Sequence, residues 1–399
     1  MQSRRNFKIG IVAGEVSGDL LAAGLIRELK KYPYTFEFTG IAGPKMQSQA
    51  CQSLYSMEKL TLMGLDGLLG RVREILNIRR NLVQYFLSDP PDLFIGVDAP
   101  DFNLGLEKKL RKAGIPVLHY VSPTVWAWRK YRLRGMRHAI DRILVLFPFE
   151  LDFYRQYKIN AKLVGHPMVR DIDIDPDIKF LRKKFGLAAD KKIIALLPGS
   201  RTGEIQRMAG IFLHAAAALA EKYPGLQFVT AMPNASLMEL FNDEVKKTGL
   251  QNLDLVCVTG HSRDVMASAD ILMLASGTAA LEAAVVGRPV VVAYKVSWLT
   301  KTMVQLLAHV KYFSMPNNLA GYRLVPELMQ ENCTAENLLN EISRYLEDDT
   351  KVDKVKQAFL QIRQSLDLDS DRLAAESVLE MLGLDPATAP ESELAGNKL

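Results

Sequence analysis

An acidic residue directly follows a run of apolar residues in the first half of the chain. The segment PDLFIGVDAPDFN covers residues 91–103, and its apolar part, 93–97, is typical of a buried strand. Asp98 ends this strand, and a second acid, Asp101, precedes a segment whose apolar period predicts a helix. Ligands of open parallel sheets bind at the carboxyl ends of the strands. Asp98 is therefore a candidate general base, although a helix cap is the simpler interpretation of this stretch alone.

A loop that suits a phosphate group occurs in the second half of the chain. The segment ALLPGSRTGEI, residues 195–205, is typical of a strand, a loop and a helix, with Ser200 and Arg201 where the helix begins. Helix N–H groups together with a guanidinium form a phosphate site. The alternative is that Ser200 only makes the turn while Arg201 pairs with Glu204, and we favour the phosphate interpretation.

A second loop of the same kind opens an alanine-rich helix within LASGTAALEAAVVGRPVVVAYK, residues 274–295. Ser276, Gly277 and Thr278 are small or carry a hydroxyl, and the start of the helix favours a diphosphate. Glu282 follows Thr278 by one helical turn and shares its face, where a carboxylate suits the two hydroxyls of a ribose. A small-residue helix packed on the sheet is the alternative, but it does not account for Glu282. The loop therefore predicts a nucleotide site.

The segment LTLMGLDGLLGRVREILNIRRNL, residues 60–82, combines apolar residues with several arginines. Such a basic amphipathic stretch lies in a membrane interface or lines a groove for acyl chains. A core helix with a solvated basic face is an equally good interpretation. The apolar residues that would contact acyl chains or the membrane are Leu62, Met63, Leu65, Leu68, Leu69, Val72 and Leu76.

Aromatic and basic residues alternate in WAWRKYRLRGMRHAIDR, residues 126–142. Aromatic side chains stack on bases and basic side chains bind phosphates, so nucleic acid is one partner that this stretch suits. The stretch is short and follows a predicted strand end. A phosphorylated substrate or an anionic lipid surface is therefore at least as good a partner.

The composition is that of a globular protein with two domains. The 399 residues carry a formal net charge of +5, which by itself does not indicate a nucleic-acid-binding protein. The 3 cysteines are scattered, which argues for a reducing compartment, and no apolar stretch of about eighteen residues predicts a membrane span. There is no P-loop, no strand-borne dinucleotide motif and no zinc spacing. We expect a cytoplasmic protein that needs no metal and no cofactor.

Strand and helix patterns alternate on both sides of a break at residues 166–179. Strands are predicted near 7–13, 35–41, 92–98, 116–121 and 142–146, and again near 192–197, 226–231, 253–258, 270–274 and 289–294. This alternation predicts two doubly wound α/β domains, each a parallel sheet with helices on both faces. The break is interpreted as a solvated acidic linker, and the pattern over 325–383 is wholly helical.

The chain resembles the lipid-A-disaccharide synthase family in motifs that occur in the family's order. They are GEVSGD (14–19), GVDAPDFN (96–103), YVSPTVWAWR (120–129), LPGSR (197–201), SGTAALEAA (276–284) and MPNNLAG (315–321). The resemblance implies a GT-B fold, with two Rossmann-like domains facing a cleft and C-terminal helices returning to the first domain. The resemblance implies an N-terminal domain that binds the acceptor, residues 1–168, and a C-terminal domain that binds the UDP-sugar, residues 169–345. It further implies helices that return to the first domain, residues 346–383, and a disordered tail, residues 384–399.

The resemblance also implies the reaction of an inverting hexosyltransferase. Such an enzyme transfers 2,3-diacylglucosamine from its UDP derivative to 2,3-diacylglucosamine 1-phosphate, which gives the β-1,6-linked disaccharide 1-phosphate of lipid A and UDP. It implies a cytoplasmic protein attached peripherally to the inner face of the membrane, not a nucleic-acid partner, and it allows a homodimer. Two alternatives remain open: a UDP-N-acetylglucosamine 2-epimerase or other GT-B enzyme, and a non-catalytic binder of anionic lipid or nucleic acid.

Roles for individual residues follow from the same resemblance. Asp98 removes the proton of the acceptor 6-hydroxyl, and Arg201 stabilises the departing diphosphate without a metal. With Asp98 assigned as the base, the helix cap is assigned to Asp101. The residues implied in substrate binding are Glu15, Ser17, Ser200, Ser276, Gly277, Thr278, Glu282, Asn317 and Arg129.

Overall fold

The computed structural model describes residues 5–60, 68–126, 131–275, 277–295 and 311–388, with the backbone only for 68–71. The chain divides into two compact units, one of residues 1–167 together with 366–399, and one of residues 168–365. The division at 365 falls inside the segment 346–383, which the sequence assigned as a whole to the first domain. Most of the predicted tail, residues 389–399, lies outside the described residues.

The first unit is built on a sheet of parallel strands. The strands are β1 (Asn6–Ala13), β2 (Thr35–Ala42), β3 (Gln52–Ser56), β4 (Leu93–Val97), β5 (Val117–Tyr120), β6 (Arg142–Val145) and β7 (Ala161–Leu163), in the order β3-β2-β1-β4-β5-β6-β7. The helices between them are α1 (Val16–Leu29), α2 (Pro44–Ser48), α3 (Leu68–Ser88), α4 (Pro100–Lys112), α5 (Arg132–Arg137) and α6 (Pro148–Gln156).

Strand β4 lies at the centre of this sheet and is buried along its whole length. All of its residues, LFIGV, are buried, as expected for a parallel strand covered by helices on both faces. β4 pairs with β1 on one side and with β5 on the other. Because parallel strands end at the same edge of a sheet, the loops after β1, β4 and β5 all reach the edge at which Asp98 lies.

The second unit repeats this arrangement. Its strands are β8 (Ile193–Leu197), β9 (Gln227–Met232), β10 (Leu255–Thr259), β11 (Ile271–Ala275), β12 (Val290–Tyr294) and β13 (Glu327–Met329), all parallel, in the order β10-β9-β8-β11-β12-β13. Its helices are α7 (Met168–Asp171), α8 (Ile178–Lys184), α9 (Thr202–Lys222), α10 (Ala235–Thr248), α11 (Ser262–Ser268), α12 (Thr278–Val286), α13 (Met315–Ala320), α14 (Ala335–Leu346) and α15 (Asp349–Leu366).

The last long helix, α16 (Ser370–Met381), completes the first unit. It packs along α1, where the guanidinium of Arg27 donates to Asp371 at 2.6 Å. Near its end, Glu380 accepts from Arg142 at 2.6 Å and from Lys162 at 2.8 Å. These ion pairs join residues far apart in the chain and attach α16 to the first unit, whereas α15, the earlier part of the segment predicted to return, belongs to the second unit.

The predicted fold class is confirmed, and each predicted strand is present. The sequence did not predict β3, β7 and β13, which lie at the edges of their sheets and are 5, 3 and 3 residues long. Since β13 lies inside 325–383, the prediction of an all-helical end is wrong there. The acidic linker contains α7, and its Asp177 accepts the N–H of Phe180 at 2.9 Å as the N-cap of α8.

Candidate active site

β4 ends in a turn at which successive residues adopt a left-handed backbone conformation. Asp98 has a φ of 53° and Ala99 a φ of 43°, which are unfavourable values for residues with a side chain. The buried Asn103 side chain donates to the carbonyl oxygens of Asp98 at 2.8 Å and Val97 at 3.3 Å. The N–H of Asp98 donates to the carbonyl oxygen of Tyr120 at 2.9 Å. These bonds hold the strained turn at the carboxyl edge of the sheet.

The side chain of Asp98 does not cap helix α4. Its Oδ1 accepts the N–H of the adjacent Ala99 at 2.9 Å, and its Oδ2 lies 3.5 Å from Oγ of Ser17. Ala99 occupies the N-cap position, and no side chain caps the helix there. Asp101 is instead paired with Arg132, with Oδ1 2.5 Å from Nη2. The prediction that Asp98 or Asp101 caps helix α4 is therefore wrong. The carboxylate of Asp98 remains half-exposed.

The GEVSGD loop between β1 and α1 supplies polar groups beside Asp98. Ser17 contacts the Asp98 carboxylate, as described above. Desolvation of the Glu15 carboxyl, and to a smaller extent the negative charge of Asp98, raises the pKa of Glu15. Asp19 is buried and accepts backbone N–H groups at the start of α2, at 2.9 and 3.0 Å. The motif therefore brings Glu15 and Ser17 to the site, while Asp19 stabilises the neighbouring loop.

A fully buried pair of ionisable side chains lies behind this turn. His119 on β5 and Glu107 on α4 approach to 2.6 Å between Nδ1 and Oε1. His119 pairs in register with Gly96 of β4, and a Cβ added at Gly96 would stand 1.9 Å from Oε1 of Glu107. The glycine of the GVDAPDFN motif is thus required because the Glu107 carboxylate fills its side-chain space.

The second unit contains a cavity of about 430 Å³ beside the loops that follow its strands. The residues that the sequence predicted from two separate loops line it together: Ser200, Arg201, Gly277, Thr278 and Glu282. The predicted Ser276 lies outside the described residues. Helix α12 begins at Thr278, and its N-cap residue supplies no side-chain cap. The first N–H groups of α12 therefore suit an anionic ligand.

Arg201 is the N-cap residue of α9, and its side chain is 83% exposed. Its Nη1 lies 3.8 Å from Oε1 of Glu204, which is long for an ion pair. Glu204 is nearly buried and accepts the N–H of Ser200 at 2.9 Å. The pairing of Arg201 with Glu204 is thus weak, and the guanidinium is available for a ligand.

Glu282 is held in the wall of the cavity by an ion pair. The Nε atom of Arg263, on α11, donates to Oε1 of Glu282 at 3.0 Å. The loop before α11 also contributes Gly260 and His261 to the cavity, and His261 has a φ of 56°. The sequence prediction missed this loop, although its position directly after the predicted strand β10 was a signal for it.

Asn317 belongs to the scaffold of the second unit. It is fully buried, and its Nδ2 donates to the carbonyl of Val325 at 3.0 Å and to Oε1 of Glu327 at 2.9 Å. Its Oδ1 accepts the N–H groups of Leu324 and Val325, both at 2.8 Å. Every hydrogen-bonding group of this amide is used within the chain. The amide therefore shapes the loop before β13, and its predicted contact with the substrate stays a prediction.

A family model described as lipid-A-disaccharide synthetase matches residues 9–381. The chain is 46% identical over 377 residues to the lipid-A-disaccharide synthase of Aeromonas hydrophila, covering 94% of this chain and 98% of that protein. It is 42% identical over 379 residues to the enzyme of the same name from Vibrio cholerae, covering 95% and 99%. The chain belongs to the lipid-A-disaccharide synthetase family.

Solved structures show that this family member has the GT-B fold. A UDP-N-acetylglucosamine 2-epimerase from Neisseria meningitidis bound to its UDP-sugar superposes with a TM-score of 0.61 at 14% identity, covering 94% of this chain and 100% of that one. The Anabaena protein HepE in complex with UDP-glucose gives 0.53 at 14% identity, covering 94% and 99%. At this identity the likeness concerns the fold alone.

The structure describes only part of the segment predicted to contact acyl chains, residues 60–82. Leu62, Met63 and Leu65 lie outside the described residues, as do the side chains of Leu68 and Leu69 and the predicted substrate-binding residue Arg129. Val72 and Leu76, on the first half of α3, are exposed. The second half buries Ile78, Leu82, Val83 and Phe86. Among the described helices, none combines the length and apolarity needed to cross a membrane.

Proposed function

We propose that the chain transfers 2,3-diacylglucosamine from UDP-2,3-diacylglucosamine to 2,3-diacylglucosamine 1-phosphate, with inversion at the anomeric carbon. The products are the β-1,6-linked disaccharide 1-phosphate and UDP. The observation that carries this proposal is the family match over residues 9–381, to relatives named lipid-A-disaccharide synthase. The geometry of Asp98 in the first unit and of the cavity in the second supports the individual roles below.

Asp98 is the general base in this proposal. Its half-exposed carboxylate removes the proton from the acceptor 6-hydroxyl as that oxygen bonds to the anomeric carbon of the donor. The bond from this carbon to the diphosphate breaks in the same step, and UDP leaves with the electron pair. Ser17, 3.5 Å from Oδ2, and Glu15 position the sugar hydroxyls around Asp98.

The cavity of the second unit binds the UDP part of the donor. Negative charge builds up on the diphosphate as it leaves, and Arg201 and the uncapped start of α12 stabilise that charge. The residues on these two loops, Ser200, Gly277 and Thr278, contact the phosphates. Glu282, held by Arg263, accepts hydrogen bonds from the ribose hydroxyls. Since fixed positive groups do this work, the step is written without a metal.

Peripheral binding to the inner face of the cytoplasmic membrane is the third part of the proposal. Both substrates carry acyl chains, and Val72 and Leu76 expose apolar surface at the start of α3 beside the exposed arginines 73 and 80. Apolar and basic groups side by side suit an anionic lipid interface. This surface extends the sequence prediction for residues 60–82 to the described part of the helix.

A transfer assay with acylated donor and acceptor, followed by UDP release and by detection of the disaccharide, tests the proposed function. We expect UDP and the disaccharide 1-phosphate in equal amounts. UDP release without the disaccharide, or no turnover, would contradict it. The alternative of a UDP-N-acetylglucosamine 2-epimerase is not favoured, because the family model and the relatives at 42–46% identity are named for lipid-A-disaccharide synthase. Conversion of unacylated UDP-N-acetylglucosamine in the same assay would restore that alternative.

A further inference from the structure

The first unit carries a cavity of about 400 Å³ beside the helix that begins at the Asp98 turn. It lies among α3, α4 and α5, and its lining contains the cations Arg79, Lys108 and Arg132 with one carboxylate, Asp101. We propose that this cavity binds the phosphate group of the acceptor lipid. The inference rests on the proposed function, which supplies an acceptor with an anomeric phosphate. It gives a first role to Arg79 and Lys108, together with Arg132 of the basic stretch 126–142.

Arg79 is built into the wall of this cavity. Its guanidinium lies against Gly105 of α4, where an added Cβ would stand 2.4 Å from Nη1. Nη1 also donates to the backbone oxygen of Asp101 at 3.4 Å. The side chain is half-buried and forms no ion pair with a described residue. A guanidinium placed in this way keeps further N–H donors for a phosphate, and such donors can bind a phosphate in a bidentate manner.

The charges in the cavity do not balance without a ligand. Arg132 pairs with Asp101, whose side chain is 76% exposed, at 2.5 Å. Lys108 is exposed and, like Arg79, forms no ion pair with a described residue. The lining therefore has an excess of two positive charges, since three cations face one carboxylate. A phosphate monoester carries a charge of about −1.5 to −2 near neutral pH, which matches this excess.

The position of the cavity suits an acceptor whose hydroxyl meets Asp98. Asp101, Gly105 and Lys108 follow one face of α4 at helical spacing, beginning at the turn that carries Asp98. Leu104 is about 6 Å further along the helix axis than Pro100, at a rise of about 1.5 Å per residue. The carbons that carry the 6-hydroxymethyl group and the anomeric phosphate flank the ring oxygen of one sugar, so a phosphate bound along this face of α4 lies within the width of one sugar from Asp98. The remaining lining is mostly apolar and suits an anion attached to a lipid; it consists of Pro100, Leu104, Tyr131, Gly135 and Met136.

The test compares the affinities of two acceptor lipids, with and without the phosphate, for the wild type and for a double variant. Dissociation constants of 2,3-diacylglucosamine 1-phosphate and of the same lipid without its phosphate are measured in neutral detergent micelles, for the wild type and for Arg79→Gln/Lys108→Gln. We expect the double variant to bind the phosphorylated lipid about tenfold to hundredfold more weakly, with unchanged affinity for the other lipid and for UDP. Direct binding is used because the comparison then does not depend on the second lipid being a substrate.

Lys109→Gln is the matched control, since it removes one charge from the adjacent position on another face of α4. Equal losses for both lipids, or no loss for either, would overturn the proposal. A loss that appears only on vesicles containing phosphatidylglycerol, and not in neutral micelles, would assign the cavity to bilayer headgroups and also overturn it. Wild-type turnover is measured separately, so failure of the proposed function is distinguishable from failure of this inference.

Discussion

The Nδ1 atom of His119 lies 2.6 Å from Oε1 of Glu107, and both side chains are fully buried behind the turn that carries Asp98. Burial on its own would lower the pKa of His119, but the adjacent Glu107 carboxylate outweighs it, with a smaller contribution from Asp98. The net effect raises the pKa of His119, so the imidazole tends to be charged beside a carboxylate. Such a buried ion pair is costly to break, because either partner alone leaves an unpaired charge.

Replacing Glu107 by Gln is therefore expected to destabilise the protein strongly. The variant Glu107→Gln should lower the free energy of unfolding by about 3–5 kcal/mol, because His119 loses its charged partner inside the core. Urea unfolding followed by far-UV circular dichroism measures this. Lys109→Gln, an exposed change on the same helix, should stay within about 0.5 kcal/mol of the wild type. A Glu107→Gln variant as stable as this control would show that the pair is not ionised in the folded protein.

The roles of the buried polar residues of α4 could not be predicted from the sequence. Buried positions of this helix follow an apolar period, but Asn103 and Glu107 occupy positions at which the period calls for apolar residues. A polar residue at a position where the helical period predicts an apolar one was the signal in the sequence that Asn103 and Glu107 have a special role. Asn103 braces the Asp98 turn and Glu107 pairs with His119 on a strand twelve residues later, and the sequence gives no register for that pairing.

The main strands and the two loops of the nucleotide cavity were predictable because their signals are local. A buried parallel strand is an apolar run, and a loop before a helix shows its small and hydroxyl-bearing residues. Among the missed edge strands, β7 and β13 are each 3 residues long, too short for periodicity to register. The bonds that Asn317 makes within the chain were not predictable, because a motif gives the type of a residue without its burial, and here the amide is enclosed by the loop before β13.

Glu150 makes the stability of the first unit dependent on pH. Burial raises the pKa of its carboxyl from 4.5 to about 7, against hydrogen bonds from Ser122 and from the backbone of Phe147, which lower it. The folded protein therefore binds more protons than the unfolded chain between these two values. The resulting stabilisation is complete below pH 4.5 and is lost as the pH rises towards 7.

Glu150→Gln should remove this dependence, because the amide stays neutral. From about pH 5.5 to about pH 8, we expect the wild type to lose about 2 kcal/mol of unfolding free energy relative to Glu150→Gln. Urea titrations across this range provide the measurement. Asp152→Asn, an exposed change on the same helix, serves as the control and should follow the wild type. Parallel pH profiles for the wild type and Glu150→Gln would contradict the assignment.

Asp98→Asn tests the base directly. The amide has nearly the same shape but cannot accept the proton of the acceptor hydroxyl, so we expect kcat to fall by about 10²–10⁴-fold. The dissociation constant for UDP, measured by calorimetry, should not change, since the cavity lies in the second unit. Asp89→Asn, at the other end of β4, should retain full activity. Turnover of Asp98→Asn near the wild-type rate would remove Asp98 from the chemistry.

Arg201→Gln should weaken the binding of UDP. Charge-assisted hydrogen bonds of this type contribute about 1.5–3 kcal/mol, which corresponds to a rise in the dissociation constant of about tenfold to hundredfold. The substitution should cost little stability, because the side chain is 83% exposed and its contact with Glu204 is long. Arg344→Gln, an exposed change elsewhere in the second unit, is the matched control. Equal UDP affinity in both variants would exclude Arg201 from the diphosphate site.

The exposed apolar residues on α3 should determine how strongly the protein binds to lipid. Val72 and Leu76 are 40% and 45% exposed, whereas Ile78, Leu82 and Phe86 of the same helix are buried. Changing both to Ser removes apolar area that would enter the bilayer interface, so partitioning into vesicles containing phosphatidylglycerol should weaken by about tenfold. Added salt should also weaken the binding of the wild type, because the neighbouring arginines contribute electrostatically.

Leu360→Ser on α15, a residue 46% exposed in the second unit, controls for a general loss of surface apolarity. If the α3 variant partitions like this control while both remain folded, the exposed half of α3 is not a membrane contact, and the acyl chains must be held elsewhere.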